Sequence, residues 1–538
     1  MTWNFGDLLD GCERVLPGDA PALIHAGKRV SWSEFGRHSN NVARRFLERG
    51  AVAGDKVGFY LRNDPAYMET LGACFKSRLV HVNVNYRYLD DELLYILDNS
   101  DSKFVVFDAE FAERVDAVRG RLPGVEAWLQ VGGDELAPFA ERYSDWAEAG
   151  DGAPLEVDRS GDDMLFIYTG GTTGMPKGVM WEHQALWGAL GAGKNTPASK
   201  GVAPESAESH IANVAANGPG VIQIVACPLM HGTGLFTAIG NLTGGGCVAT
   251  LGGHKFVPED LFSAVERDGA GSVVIVGDAF ARPMLETLDA NSGRWDLSSL
   301  RVVISSGVMW SREIKEGLLE HHDGMLLADM FGSSEAVGFG SSISGKGSGT
   351  KTAKFQVGEH CKVFSEDHVE VAPGSGERGF IARSGPIPSG YYKDAEKTEA
   401  TFPMINGTRY SIPGDWCTVE ADGTLTLLGR GSACINTAGE KVHAEEVEET
   451  LKQHPSVEDA LVFGLPDPKW GNAVTAVVEL GDPARLDEVE IRSFVREKLA
   501  GYKVPKRVLA VPTMFRAPNG KADYKAATEW AKGQLAAV

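Results

Sequence analysis

Short apolar runs rich in β-branched residues recur along this chain. Stretches whose apolar residues repeat at helical spacing separate them. "KVGFYLRN", "KFVVFD", "MLFIYTG", "VIQIVACP", "GSVVIVG" and "LRVVISSG" are apolar in continuous blocks. Runs of that length and texture predict buried parallel strands. Between them, "WSEFGRHSNNVARRFLERG" and "PEDLFSAVERDG" place apolar residues at i, i+3, i+4 and i+7, which predicts amphipathic helices. The first ends on Gly50, as a helix C-terminus often does. Alternating strand and helix signals predict a large α/β body.

From about residue 430 the texture changes. "EEVEETLKQHP" predicts a helix, "VEDALVFGLPD" a strand and turn, "AVTAVVEL" an alternating strand and "RLDEVEIRSFVREKLAGYKVP" a long helix. That is an α+β unit of about the 100-residue size that folds alone. The expected division is therefore 1–430 and 431–538. Residues 194–220, "KNTPASKGVAPESAESHIANVAANGPG", hold few apolar residues and much Ala, Pro, Gly and Ser, so a mobile surface insertion is expected. "SISGKGSGTKTAKF" at 342–355 is expected to be a second flexible, solvated segment.

At 538 residues the chain exceeds one compact core, so two to four domains are expected. Its 52 Lys+Arg against 73 Asp+Glu give a net charge of −21. That argues against nucleic acid or an anionic membrane as a general partner, since either needs a basic face. The seven cysteines are odd in number and form no CxxC pair, so neither a disulfide framework nor a zinc site is indicated. The acidic N-terminal stretch does not read as a signal peptide, and no apolar run approaches the ~20 residues of a membrane span. A cytoplasmic setting is the expectation.

The segment carrying most chemistry is "YTGGTTGMPKGVMWEH" at 168–183. Its glycines (Gly170, Gly171, Gly174) would let backbone N–H groups approach an anion. Thr169, Thr172 and Thr173 add hydroxyls and Lys177 a point charge. It is not the P-loop GxxxxGK[ST], because Lys177 is followed by Gly178 with no Ser or Thr for magnesium; nor is it GxGxxG. Alone, such a tract is most simply a turn.

Four further motifs follow in order: "MFGSSEAVG" (330–338), "GDWCTVEADGTLTLLGR" (414–430), "CINTAGEKVHAEEVE" (434–448) and "APNGKADY" (517–524). Together with the Gly-rich loop they closely resemble the signature motifs of the adenylate-forming superfamily of acyl-CoA synthetases, luciferases and adenylation domains. The resemblance covers nearly the whole chain. Within it, "VNVNYRYLDDELLYILDNSD" and "LLGRGSACINTAGEKVHAEEVE" are similar to bacterial fatty-acyl and steroid side-chain CoA ligases.

The resemblance implies the acyl-adenylate synthetase fold: a multi-subdomain N-terminal body and a small, mobile C-terminal domain. It implies that a carboxylic acid attacks the α-phosphate of ATP, releasing pyrophosphate, and that the thiol of coenzyme A then displaces AMP. Residues 169–174 and Lys177 would hold the β- and γ-phosphates, Glu335 would ligate Mg²⁺, and Ser334 would donate to the α-phosphate. Ser306, Gly307, Val308, Met309, Asp329 and Phe331 would frame adenine, with Leu427 opposite, and Met330 and Gly332 would join the cofactor site. Asp415 would accept from the ribose hydroxyls, and Arg430 completes that segment. Lys521 would bridge carboxylate and α-phosphate in the transition state. Each of these residues taken singly has a plainer reading: Glu335 and Lys521 as solvated surface charges, Asp415 as a turn residue. Order and spacing argue otherwise.

His231, in "PLMHGTG", is expected either to gate the carboxylate or simply to pack. The hinge of the small domain would fall at Ser432, where relatives usually carry Asp or Lys. Gly439 would let the pantetheine arm pass, and Lys441 either meets a CoA phosphate or is solvated. The alternatives are an aryl-CoA ligase, an adenylation enzyme loading a carrier protein, or a non-catalytic nucleotide-binding protein. No carrier attachment motif is evident after residue 430, which favours free CoA. Small residues at 232, 234, 338 and 340 suggest room for a long or bulky hydrophobic acid. Oligomeric state is not legible, and a homodimer is compatible.

Overall fold

The computed structural model describes all residues except 1–2, 170–174, 309, 348–352, 431–433, 438–439, 468–470, 482–485, 500, 518–519 and 537–538. All six predicted parallel strands form, at Lys56–Tyr60, Ser102–Asp108, Met164–Thr169, Ile222–Val225, Ser272–Ile275 and Val302–Ser306. Each has a parallel neighbour. The helix Trp32–Glu48 begins at a capping box between Ser31 and Glu34, and Gly50 just past it has φ +78°. Pro258–Asp268 ends at Gly269 in the left-handed region.

Residues 21–430 build two large sheets. One has 13 strands and runs from Cys361–Phe364 at one edge to Lys28–Ser31 at the other. Its parallel centre, in the order Leu326–Ser333, Val302–Ser306, Ser272–Ile275, Ile222–Val225, Cys247–Thr250, continues into antiparallel strands drawn from residues 336–430. The other has eight strands and contains the hairpin of Met164–Thr169 with Lys177–Glu182. Crossover direction sets the faces of the first sheet. The chain moves one way from Ile222–Val225 to Cys247–Thr250, and the opposite way from there through Ser272–Ile275 and Val302–Ser306 to Leu326–Ser333. Right-handed crossovers therefore put the helix Gly232–Thr243 on one face and Asp278–Ala290 and Arg312–His321 on the other.

Residues 434–511 form a separate five-stranded sheet, so the first and last strands on either side of 431–433 belong to different sheets. Successive residues of Val457–Asp467 point to opposite sides, as a pleated strand requires. Ala460 and Val462 join the core beneath the helices Ala444–Lys452 and Glu488–Lys498, while Leu461, Phe463 and Leu465 meet the helix Tyr524–Ala536. "AVTAVVEL", expected to alternate, is instead buried on both faces because helices cover both sides. The helix Tyr524–Ala536 lies in a stretch the hydrophobic pattern did not single out.

The expected mobile insertion at 194–220 is corrected by the structure. Ser206 caps a helix, Ala207–Asn217, whose buried His210, Ile211 and Val214 pack toward the N-terminal helix Phe5–Val15. An i, i+1, i+4 set of buried residues was enough, despite the polar surroundings. At 342–355, residues 336–344 and 354–357 are strands, and 348–352 lie outside the described residues. Among the described residues no helix is long and apolar enough to cross a membrane.

Candidate active site

The Gly-rich segment joins two antiparallel strands, with Thr169 opposite Lys177. Gly170, Gly171, Thr172, Thr173 and Gly174 lie outside the described residues, but both ends of the turn are held. Asn83, at the end of the parallel neighbour Val80–Asn83, accepts from Tyr168 N at 2.6 Å and donates to Tyr168 O at 3.0 Å. Tyr95 OH donates to Pro176 O at 3.1 Å. Asn83 Nδ2 also donates to Met230 O at 2.8 Å, tying the hairpin to the segment that carries His231. Asn63 brackets the other side of that segment through Cys227 O and Leu229 N. Buried Asn83 and half-buried Asn63 thus hold the strand end at Tyr168 and the segment before His231 relative to each other.

Lys177 forms an ion pair with Asp394, which caps the helix Ala395–Thr401. The lysine holds the Asp394 carboxyl below the usual carboxylate range. Ser334 and Glu335 are the two-residue tip of the hairpin between Leu326–Ser333 and Ala336–Ser344, where Ser333 pairs with Ala336. Glu335 is buried, and Tyr391 OH donates to its Oε1 at 2.8 Å. Its carbonyl accepts from Ser411 Oγ at 2.7 Å, and Trp181 Nε1 donates to Ser334 O at 2.8 Å. Tyr391 lies in the short strand Gly390–Tyr391, which pairs with Lys177–Glu182. One segment, 390–394, therefore touches both the acid and the lysine.

Ser306 ends its strand, and Thr233 Oγ1 donates to Ser306 O at 3.4 Å. Gly307 follows at φ +91°, where a Cβ would approach Thr233 Oγ1. Val308 packs against the main core, and Met309 lies outside the described residues. Asp329 is buried and accepts from Lys315 Nζ at 2.7 Å, a bond that turns it toward the helix Arg312–His321. Met330 points the other way and is exposed, Phe331 stacks among Phe339 and Phe355, and Gly332 leads into the Ser334 turn. Asp415 is buried opposite Arg430 in the antiparallel pair Asp415–Val419 and Leu425–Arg430. Leu427 is half-buried on the second of those strands.

His231 precedes the helix Gly232–Thr243. Burial, then the positive charges of Lys521 and Arg87, push its pKa down to about 3, so the ring is neutral at ordinary pH. Lys521, 290 positions away, is thus brought to the same site. Its own carbonyl accepts from Ala517 N at 2.8 Å, in the turn closed by Gly520. Ser334 approaches from the other side: a Cβ on Gly232 would lie 3.8 Å from Ser334 Oγ. Ser432 and Gly439 lie outside the described residues, and Lys441 lies in the strand Glu440–His443.

Asn63, Asn83, Arg87, Tyr391 and Asp394 were not singled out from the sequence. A polar residue inside an apolar strand, Asn83 in "VHVNVN", was the one signal available. Tyr391 and Asp394 gave none, because their partners lie 56 and 217 residues away.

Part of one face of the main sheet, on Leu326–Ser333 and Ala336–Ser344, is exposed beside this site. Because Asp329 faces the Lys315 helix, alternation turns Ala328 and Met330 to the opposite face, with Ile343 and Ser341 beside them. Among the described residues no helix of that crossover set covers them, and Leu326, Met330 and Ile343 are 47%, 38% and 66% exposed. The helix Gly232–Thr243 borders this strip. Thr233, which touches Ser306, lies on one side of it with Thr237 and Gly240, and a Cβ at Gly240 would meet nothing within 4 Å.

The sequence profile of the AMP-binding enzyme family matches residues 13–392, and that of the AMP-binding enzyme C-terminal domain matches 446–521. The chain is 39% identical over 546 residues to a 3-oxocholest-4-en-26-oate–CoA ligase of Rhodococcus rhodochrous, covering 99% of this chain and 96% of the relative. It is 38% identical over 543 residues to a medium/long-chain-fatty-acid–CoA/3-oxocholest-4-en-26-oate–CoA ligase of Mycobacterium marinum, with 99% and 97% covered. Among solved structures, the anthranilate CoA ligase AuaEII in complex with anthranoyl-AMP superposes with a TM-score of 0.84 at 22% identity, covering 99% of this chain and 98% of that one.

Proposed function

The chain belongs to the AMP-binding enzyme family and is an AMP-forming acid–thiol ligase, and we propose that its substrates are long or bulky hydrophobic acids of the fatty and steroid side-chain type. The observation that carries the substrate class is the open apolar strip beside the Gly-rich hairpin. Ala328, Met330 and Ile343 floor it, and the small side of Gly232–Thr243 walls it. A chain or ring system laid there would cover exposed Leu326, Met330 and Ile343. At about 25 cal/mol per Å² of apolar surface, that burial favours large acids over small ones. The two curated relatives, named for acids of this kind, agree with the reading.

The chemistry follows from the groups around the strip's inner end. The acid's carboxylate meets the α-phosphorus of ATP near His231, Ser334 and Lys521. The oxygen–phosphorus bond forms as the bond to pyrophosphate breaks. Lys521, exposed at its turn tip, supplies positive charge where the pentavalent phosphorus gathers negative charge. Neutral His231 adds no competing cation. The Gly-rich turn and Lys177 receive the departing pyrophosphate, so ATP must draw Lys177 away from Asp394. In the second step the CoA thiolate attacks the acyl carbon, the bond from that carbon to the phosphate oxygen breaks, and AMP leaves as a phosphate anion that needs no proton. Asp415 and the strand end at Ser306–Gly307 hold ribose and adenine.

A magnesium ion fits this donor set. Among the described residues no group of three or more His, Cys, Asp or Glu could hold a metal alone. Glu335 would therefore share the ion with phosphate oxygens and water, the usual pattern for Mg²⁺. The ion would offset charge on the phosphates.

A kcat/KM panel of acetate, benzoate, palmitate and 3-oxocholest-4-en-26-oate tests the substrate class. Palmitate or the steroid acid should exceed acetate by about 100-fold or more, the product of several buried methylenes. A preference for acetate or benzoate overturns the reading.

A further inference from the structure

The turn that carries Lys521 belongs to the small domain, yet it rests on the body through contacts that the chemistry above does not use. A Cβ on Gly520 would lie 2.7 Å from Ala279 Cβ and 3.3 Å from Val276 O, so only glycine seats this turn. Beside Ala279, Asp278 opens the helix Asp278–Ala290. Ser311 N donates to Asp278 Oδ1 at 2.9 Å, and the Ser311 hydroxyl donates to Oδ2. The same Oδ2 faces Nζ of Lys452 at 3.6 Å, across the boundary between the domains.

Lys452 ends the helix Ala444–Lys452, is buried, and also pairs with Glu449. Asp459 adds to the negative field around it. Asp459 is in turn gripped by the Arg516 fork at 2.5 and 2.7 Å, and Arg516 Nη1 donates to Gly520 O at 3.1 Å. A set of charge interactions thus runs from the body at Asp278 to Lys452, through the field of Asp459 to Arg516, and on to the turn beneath Lys521.

We propose that Asp278 and Lys452 form a latch between the two domains, which positions Lys521 over the site for adenylate formation and parts for the thioester step. The inference rests on the reading of Lys521 given above. Asp278 and Lys452 are positioning residues; neither touches the reacting atoms. Removing one partner of a buried pair normally leaves a stranded charge. Here each partner keeps another group when the domains separate: Lys452 retains Glu449, and Asp278 retains Ser311. The contact can therefore open without stranding an ion, as a reversible latch must.

Two half-reactions on the same preparations test it: palmitate-dependent pyrophosphate release without CoA, and CoA-dependent conversion of synthetic palmitoyl-AMP to palmitoyl-CoA. Asp278→Asn, which can still bond Ser311, and Lys452→Met should each slow pyrophosphate release about tenfold or more, because a misplaced Lys521 loses its alignment. Conversion of palmitoyl-AMP should stay within about twofold, since that step follows separation and also reports that the protein is folded. Unchanged pyrophosphate release in both single variants overturns the latch. So does an equal fall in both half-reactions. Lys521→Ala, run alongside, separates the two ideas. If it abolishes release while Asp278→Asn and Lys452→Met do not, the latch fails and the reading of Lys521 stands; if it leaves release unchanged, that reading fails and the latch falls with it.

Discussion

Glu335 shows how little a residue type decides by itself. As a lone acid it reads as surface, yet it sits buried at a hairpin tip with Tyr391 OH on Oε1 at 2.8 Å. A hydrogen bond to a charged acceptor contributes roughly 1.5–3 kcal/mol, and here it also orients the carboxylate. Tyr391→Phe is therefore expected to raise the magnesium concentration needed for half-maximal adenylation by about tenfold. The palmitate KM should stay unchanged, because Tyr391 acts through the Glu335 carboxylate. A magnesium titration of pyrophosphate release checks this, and an unaltered titration would sink the role assigned to Tyr391. Glu335 could be picked out by its place in a motif, but Tyr391 could not. Nothing local in "SGYYKD" marks one tyrosine as the partner of an acid 56 residues earlier.

At the scale of elements, the parallel strands were legible because burial on both faces leaves an unbroken apolar run. The helix Ala207–Asn217 was not, because three buried side chains suffice to dock it and its other residues are polar. The helix Gly232–Thr243 has a second reading that only its packing discloses. Leu235, Ala238, Ile239 and Leu242 enter the core, while Thr233, Thr237 and Gly240 edge the open strip. Filling that edge should select for short acids. Gly240→Phe is expected to lower kcat/KM for palmitate about tenfold or more while leaving butanoate nearly unchanged, since one lost pocket contact changes discrimination by about 1–3 kcal/mol. Replacing a mid-helix glycine should not weaken the helix, because glycine is itself unfavourable there by about 1 kcal/mol. Equal losses for both acids would remove Gly240 from the acyl site.

The molecule as a whole encloses ionisable groups whose protonation couples to folding. His81 is fully buried between Tyr67 OH at 2.9 Å and Phe166 O at 3.1 Å, and burial pushes its pKa down to about 3. His183, packed between the rings of Phe5 and Phe75, is also pushed down to about 3. Both bind a proton more readily in the unfolded chain, whose histidines titrate near 6.5. Their contribution is present above pH 6.5 and is lost as pH falls from there toward 3. Each should cost about 2 kcal/mol by pH 5, at about 1.4 kcal/mol per pH unit below 6.5. Thermal unfolding followed from pH 7.5 to 5 should show a falling Tm, and His183→Phe should flatten that slope. An equally steep slope in the variant would show that His183 does not drive it.

The sequence by itself determined the class of chemistry. Five ordered motifs carry backbone and side-chain requirements that survive as local strings, and hydrophobic periodicity marks the parallel strands because burial acts on each residue separately. Its apolar pattern also changes near residue 430, where a small C-terminal domain was expected to begin. The tertiary structure alone decided which groups meet. It set Asp394 against Lys177 and Tyr391 against Glu335, bridged the two domains through Asp278 and Lys452, and left a strip of one sheet face exposed at Leu326, Met330 and Ile343. Those outcomes depend on crossover handedness, strand register and domain docking, which join residues far apart in the chain and leave no periodic or local trace in it.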